Sequence, residues 1–170
     1  MESEISLNTE IGDITPAKRR CTFGLPKNDR LRLRSLISGL FSEGETISAY
    51  PLRMIWGTLS EEQLQQTFRK TVPDGIGRMQ MMVTVPKKKR RHAVDRVLMR
   101  RRIREAYRLN RLPTEHILYN GNKATLSLAF IYMADKNHSY RKVETKMQLL
   151  FEKLNQALSG NSEPTKDAEK

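Results

Sequence analysis

The chain has 170 residues and a formal net charge of +12, from 31 Lys and Arg against 19 Asp and Glu. That length suits one hydrophobic core. No apolar run approaches the ~20 residues of a membrane span, and Cys21, the only cysteine, excludes an internal disulfide and a cysteine-based zinc cluster. So large a positive excess points to a polyanionic partner, either nucleic acid or an anionic membrane surface.

The opening MESEISLNTE is acidic and polar, unlike a signal peptide. Residues 1–22 read as a disordered arm and 160–170 as a disordered tail, flanking one domain over 23–159. In that domain Asn28 or Asp29 can cap a first helix with Leu33, Leu36, Ile37, Leu40 and Phe41 on its apolar side and Gly44 just past its end. Ile47 to Trp56 reads as one strand, with Tyr50, Leu52, Met54 and Trp56 alternating onto a single face. Pro51 cannot donate to a ladder, so this strand belongs at an edge or carries a bulge.

The connection over 57–77 is too long for a tight hairpin. Ser60 and Gln63 form a capping-box pattern ahead of Leu64 and Phe68, which predicts a short inserted helix, and Asp74-Gly75 marks a turn. Met79 to Val85 is a second strand closed by Pro86. A basic linker leads into a helix from about Ala93 to Leu109, and Pro113 to Tyr119 is a further short helix ended by Asn120-Gly121. Ala124 to Met133 is apolar and β-branched enough for a central strand. Ser139 caps a last helix carrying Val143, Met147, Leu150, Leu154 and Leu158, stopped by Gly160. The order α-β-β-α-(α)-β-α predicts an α+β fold, a two-layer α/β sandwich with helices packed on a small mixed sheet.

The charge is concentrated. Lys87 to Arg108 holds eleven Lys and Arg against Asp95 and Glu105, so 22 residues carry nine of the twelve excess charges. A solvated helix face would interleave acids at i,i+4, and this one barely does. Arg96, Arg100, Arg104 and Arg108 recur every four residues as a slowly drifting stripe bordered by Arg101, while Met99, Ile103 and Ala106 face the core. The planar guanidinium matches phosphate oxygens better than a lysine point charge does. The run Lys87, Lys88, Lys89, Arg90, Arg91 suits nucleic acid or anionic lipid alike. The lipid reading needs an exposed apolar face that the core requires for itself. Phe41, Tyr50 and Trp56 are candidates to stack unpaired bases, each stack worth roughly 1–3 kcal/mol, although Phe41 and Trp56 also suit a core.

Protein-borne catalysis finds little support. His92, His116 and His138 lie far apart in sequence, with no metal-ligand or general-base spacing. The arginines around Asp95 and Glu105 should keep both ionised, and Glu105 should orient Arg104 or a neighbouring arginine.

Ala93-Val94-Asp95-Arg96, Arg100-Arg101 and Arg104-Glu105-Ala106-Tyr107-Arg108 together resemble the signature helix of the bacterial ribonuclease P protein component, approximately A-V-x-R-N-R-x-K-R-x-x-R-E. Val83-Thr84-Val85-Pro86-Lys87-Lys88 is similar to that family's strand ending S-V-x-K-K. The resemblance spans about residues 23–158. It implies the small basic subunit of a cytoplasmic ribonucleoprotein that removes the 5′ leader of precursor tRNA. It also implies a left-handed βαβ crossover, a catalytic site in the RNA subunit with its Mg2+, and a cleft between sheet and signature helix for the single-stranded leader. The implied partners are the catalytic RNA and precursor tRNA, with no membrane and no DNA. By position Arg96, Arg100, Arg101, Arg104, Lys87 and Lys88 match basic positions of the family, and Phe41 matches an aromatic near the end of the first helix. The sequence departs from the pattern at Val97 and Leu98, where the motif has Asn and Arg, and in the 57–77 connection. Two rival readings are a general RNA-binding or ribosome-associated protein, which would stimulate no cleavage, and a protein-only nuclease, which would cut without RNA.

Overall fold

The apolar periodicities resolve into two layers of side chains, one on each face of a four-stranded sheet. The computed structural model describes residues 25–68, 71–73, 75–120 and 125–160. After a 3-10 turn at Lys27–Asp29 come α1 (Arg34–Glu43), β1 (Glu45–Ala49), β2 (Leu52–Leu59), α2 (Glu61–Thr67), β3 (Met79–Thr84), α3 (Ala93–Asn110), α4 (Leu112–Asn120), β4 (Thr125–Tyr132) and α5 (Tyr140–Leu158). The sheet order is β1-β2-β4-β3. β1–β2 and β2–β4 pair antiparallel, whereas β3 and β4 pair in parallel, joined through α3 and α4. The sheet is therefore mixed, as expected, and β4 is central.

Alternation along β4 sorts the core. Leu126, Leu128, Phe130 and Tyr132 join Met54, Trp56 and Met81 in the larger cluster, beneath Met99, Ile103, Ala106 and Tyr107 of α3 and Val143, Met147, Leu150, Phe151 and Leu154 of α5. Ala129 points the other way, into a smaller cluster with Leu36 and Leu40 of α1 and Leu64 of α2. The capping box that predicts α2 is formed in full: Gln63 N donates to Ser60 Oγ at 3.2 Å and Ser60 N to Gln63 Oε1 at 2.9 Å. Ser139 Oγ accepts from Lys142 N to start α5, and Gly160, at φ +79°, ends it in a conformation that favours glycine. Gly44 is required by close approach, since a Cβ there would lie 2.3 Å from Leu40 O and 2.8 Å from Ile55 Cγ2.

Two expectations need correction. The first helix starts at Arg34, with no side-chain cap from Leu33, and not after Asn28 or Asp29. Those two residues serve tertiary contacts instead. Asn28 O accepts from Gly77 N at 3.1 Å and from Gln80 Nε2 at 3.0 Å, and Asp29 pairs with Arg111. The segment predicted as one strand from Ile47 to Trp56 is a β1–β2 hairpin turning at Tyr50-Pro51, so Pro51 leaves no gap in a ladder. Residues 1–24 with Cys21, part of the Asp74-Gly75 turn, Gly121 and residues 161–170 lie outside the described residues. No helix among the described residues is long and apolar enough to cross a membrane.

Candidate nucleic-acid interface

On α3 the buried side chains Met99, Ile103, Ala106 and Tyr107 define the inner arc. The first three follow from periodicity. Tyr107 adds an aromatic cluster, its ring 5.9 Å from Phe130 and 6.0 Å from Phe151. Each four-residue step advances about 40° round the axis, so the stripe leaves the core edge at Arg96 and is exposed by Arg104, while Arg108 is half-buried against Glu105. Val94, Val97 and Leu98 are exposed on the outer arc; the two residues that replace the motif's Asn and Arg therefore present apolar surface where the family motif is polar.

The ten basic candidates divide by what holds them. Arg96 Nη1 donates to the carbonyls of Arg90, at 2.8 Å, and Arg91, tying the linker to the helix. Arg90 reaches Asp95 at 2.6 Å and the Asp135 carbonyl; Lys89 Nζ lies 3.2 Å from the Asp135 carboxylate. Arg108 grips Glu105, one helical turn back. Lys87, Lys88, Arg91, Arg101 and Arg104 are exposed and Arg100 half-exposed, and none of these six has an acidic partner among the described residues. Four candidates thus shape the surface and six offer free charge.

Both carboxylates on α3 are committed. The Asn137 amide at 2.7 Å and the Arg90 guanidinium hold the Asp95 carboxyl below its ordinary value. The Arg108 hydrogen bond does the same for Glu105. Partial burial and the charges of Arg100 and Arg30 lower the Arg104 guanidinium, which at any physiological pH remains a cation.

Sequence reasoning missed the β4–α5 loop. Asp135 and Asn137 clamp the basic linker and the start of α3, and the His138 carbonyl accepts from Arg102. The His138 ring is buried, with Nδ1 2.8 Å from the Tyr132 hydroxyl, which donates to Lys136 O at 2.6 Å. Nothing in the local pattern of 133–139 signals the clamp, because its partners Lys89, Arg90, Asp95 and Arg102 are distant in sequence.

The three aromatic candidates are not brought together. Trp56 is 8% exposed inside the larger cluster and cannot offer a ring face to a base. Its place in the β2 alternation put it under the helices. Tyr50, 59% exposed, sits in the hairpin turn with its ring edge-on to His138, and Phe41, 48% exposed, rides on α1. Among the described residues the space between sheet and α3 is filled by core side chains. A cavity of about 350 Å³ lies on the opposite face, between α1 and α2, lined by Ser35, Gly39, Thr58, Gln63, Thr67 and Ser127. Among the described residues no group of three or more His, Cys, Asp or Glu side chains stands close enough to hold a metal ion.

A family model described as ribonuclease P matches residues 25–155. The ribonuclease P protein components of two strains of Porphyromonas gingivalis are each 35% identical over 127 residues, which cover 75% of this chain and 83% of theirs. The solved RNase P protein of Staphylococcus aureus superposes with a TM-score of 0.51 at 13% identity, over 74% of this chain and 94% of its own, a likeness of fold.

Proposed function

Since the chain belongs to the ribonuclease P protein family, we propose that it binds a catalytic RNA in the cytoplasm and assists that RNA in removing the 5′ leader of precursor tRNA. The observation that carries this reading is the outer surface of α3 and its linker, where six cations stand without acidic partners among the described residues. Two polyanions, ribozyme and substrate, repel one another. Cations held rigidly between them neutralise phosphates and release counterions, so the complex forms at lower Mg2+. The metal and the hydrolytic step belong to the RNA. In support, Asp95 and Glu105 are locked in ion pairs and held ionised, which makes both poor proton donors.

The single-stranded leader is accommodated on the α1 face, where there is room, and not beneath α3, where the core is closed. Among the described residues Phe41, on α1, and Tyr50, at the β1–β2 turn beside His138, are the exposed rings available to stack unpaired bases. The test is cleavage of precursor tRNA at low Mg2+ with the cognate catalytic RNA alone, the protein alone, and both together. Cutting at the mature 5′ end that requires both components is the expected result. Cutting by the protein alone would overturn the assignment of chemistry to RNA. Binding without any stimulation would leave a general RNA-binding protein on this fold.

A further inference from the structure

The segment between the 3-10 turn and α1 extends the sheet by one more short pairing. Arg30 forms a parallel bridge with Met81 of β3, and Leu31 N donates to Met81 O at 3.0 Å. Side chains alternate along such a segment. Leu31 falls into the α1-side cluster, so Arg30 projects to the other face, the one α3 covers. There Met99 and Ile103 of α3 pack in one cluster with Met81. Arg100 and Arg104 follow those two residues by one position each, about 100° further round the helix. Arg30 comes close enough that its charge, with that of Arg100, bears on the Arg104 guanidinium.

Three guanidiniums from two elements thus lie on one flank of α3, and among the described residues no carboxylate pairs with any of them. The two acids adjacent in sequence are taken elsewhere, Asp29 by Arg111 and Glu105 by Arg108. Nor is Arg30 a tail cation swinging freely: its backbone is pinned by the bridge to β3 and, two residues earlier, by Asn28 O accepting from Gly77 N and Gln80 Nε2. A like-charge trio held in place by the fold is unfavourable until an oxyanion occupies it, and forked donors from several directions suit a phosphate.

We propose that Arg30, Arg100 and Arg104 form one phosphate-binding cradle for the RNA phosphodiester backbone, with the strand-borne Arg30 completing what the helix begins. This rests on the reading that the protein binds RNA and adds a residue outside the signature helix. The phosphate belongs either to the catalytic RNA or to precursor tRNA, and binding to each, measured separately, tells which.

The experiment is equilibrium binding of the full chain to each RNA across a salt series. Arg30→Gln should reduce the log–log salt slope for one RNA by about 0.7–0.9 and weaken binding about 5- to 8-fold at about 0.1 M salt. The Arg30→Gln/Arg104→Gln pair should lose less than the product of the two single losses, because both side chains hold one group. Lys153→Gln, on the exposed side of α5, removes one charge elsewhere and should leave the slope unchanged. The bridge to Met81 uses backbone atoms, so Arg30→Gln should fold, and Arg30→Lys should keep the slope while losing part of the affinity. An unchanged slope for both RNAs in Arg30→Gln, with Arg104→Gln lowering it, overturns the cradle and leaves the RNA-binding reading standing. Strictly multiplicative losses would show Arg30 on a phosphate of its own and also overturn it. No salt-dependent binding by the wild-type chain would defeat both.

Discussion

Replacing Arg100, Arg101 and Arg104 together with Gln removes three cations that have no acidic partner. Each lost phosphate contact removes about 0.7–0.9 from the log–log slope of affinity against salt, and Arg100 and Arg104 share one phosphate while Arg101 takes another, so the triple variant should lose about 1.4–1.8. At about 0.1 M salt that corresponds to roughly 25- to 60-fold weaker binding, or about 2 kcal/mol. The matched control is Glu105→Gln/Arg108→Gln, which removes a mutually satisfied pair and leaves the net charge unchanged. It should shift the slope by less than one contact. The assay is equilibrium binding to the cognate catalytic RNA at several salt concentrations, with circular dichroism to confirm the helix. All three arginines point away from the core, so the fold should lose no more than a few tenths of a kcal/mol. A slope change below about one in the triple variant, or an equal change in the control, would refute the division into free and committed arginines.

Asp29→Asn should destabilise the protein in urea by about 3 kcal/mol. It strands the nearly buried Arg111, while Glu115, at 3.9 Å, limits the damage. Burial, with Lys142 and Lys136 nearby, holds the His138 imidazole below the ordinary histidine value of 6.5, so between that lowered value and 6.5 the native state binds fewer protons than the unfolded chain. Stability should therefore fall as pH drops below about 6.5. His138→Asn should flatten that dependence in urea midpoints compared across the range, and an unchanged slope would count against it. Trp56→Phe should cost stability without changing leader affinity, since the ring is enclosed. Tyr50→Ala and Phe41→Ala should each weaken single-stranded leader binding, by roughly 1–3 kcal/mol if the ring stacks fully. Ser60→Ala should cost about 1 kcal/mol through the lost cap of α2, read from thermal unfolding.

Local chemistry made most elements legible. Ser60 with Gln63, Ser139 before an amphipathic helix, and the apolar run of β4 each carry their instruction within a few residues. The hairpin carries a weaker signal: Ile47 and Ala49 share a face with Leu52, Met54 and Trp56, so the alternation changes phase at Tyr50-Pro51. Pro51 fits a bulge or a turn equally, and only pairing with a partner strand separates them.

The candidate site divides on the same line. The sequence by itself determined that α3 exists, which flank is apolar, and that nine excess charges gather on it and its linker, because periodicity and charge are properties of consecutive residues. The tertiary structure decided which charges are free. Arg90 and Lys89 meet Asp135, Arg108 keeps its own Glu105, Arg30 is bridged to β3, and Trp56 disappears under α5 and α3. Each outcome except the Arg108 pair depends on residues brought together from distant parts of the chain. A cation's availability is fixed by whichever acid the fold places within reach, and no local pattern encodes that distance.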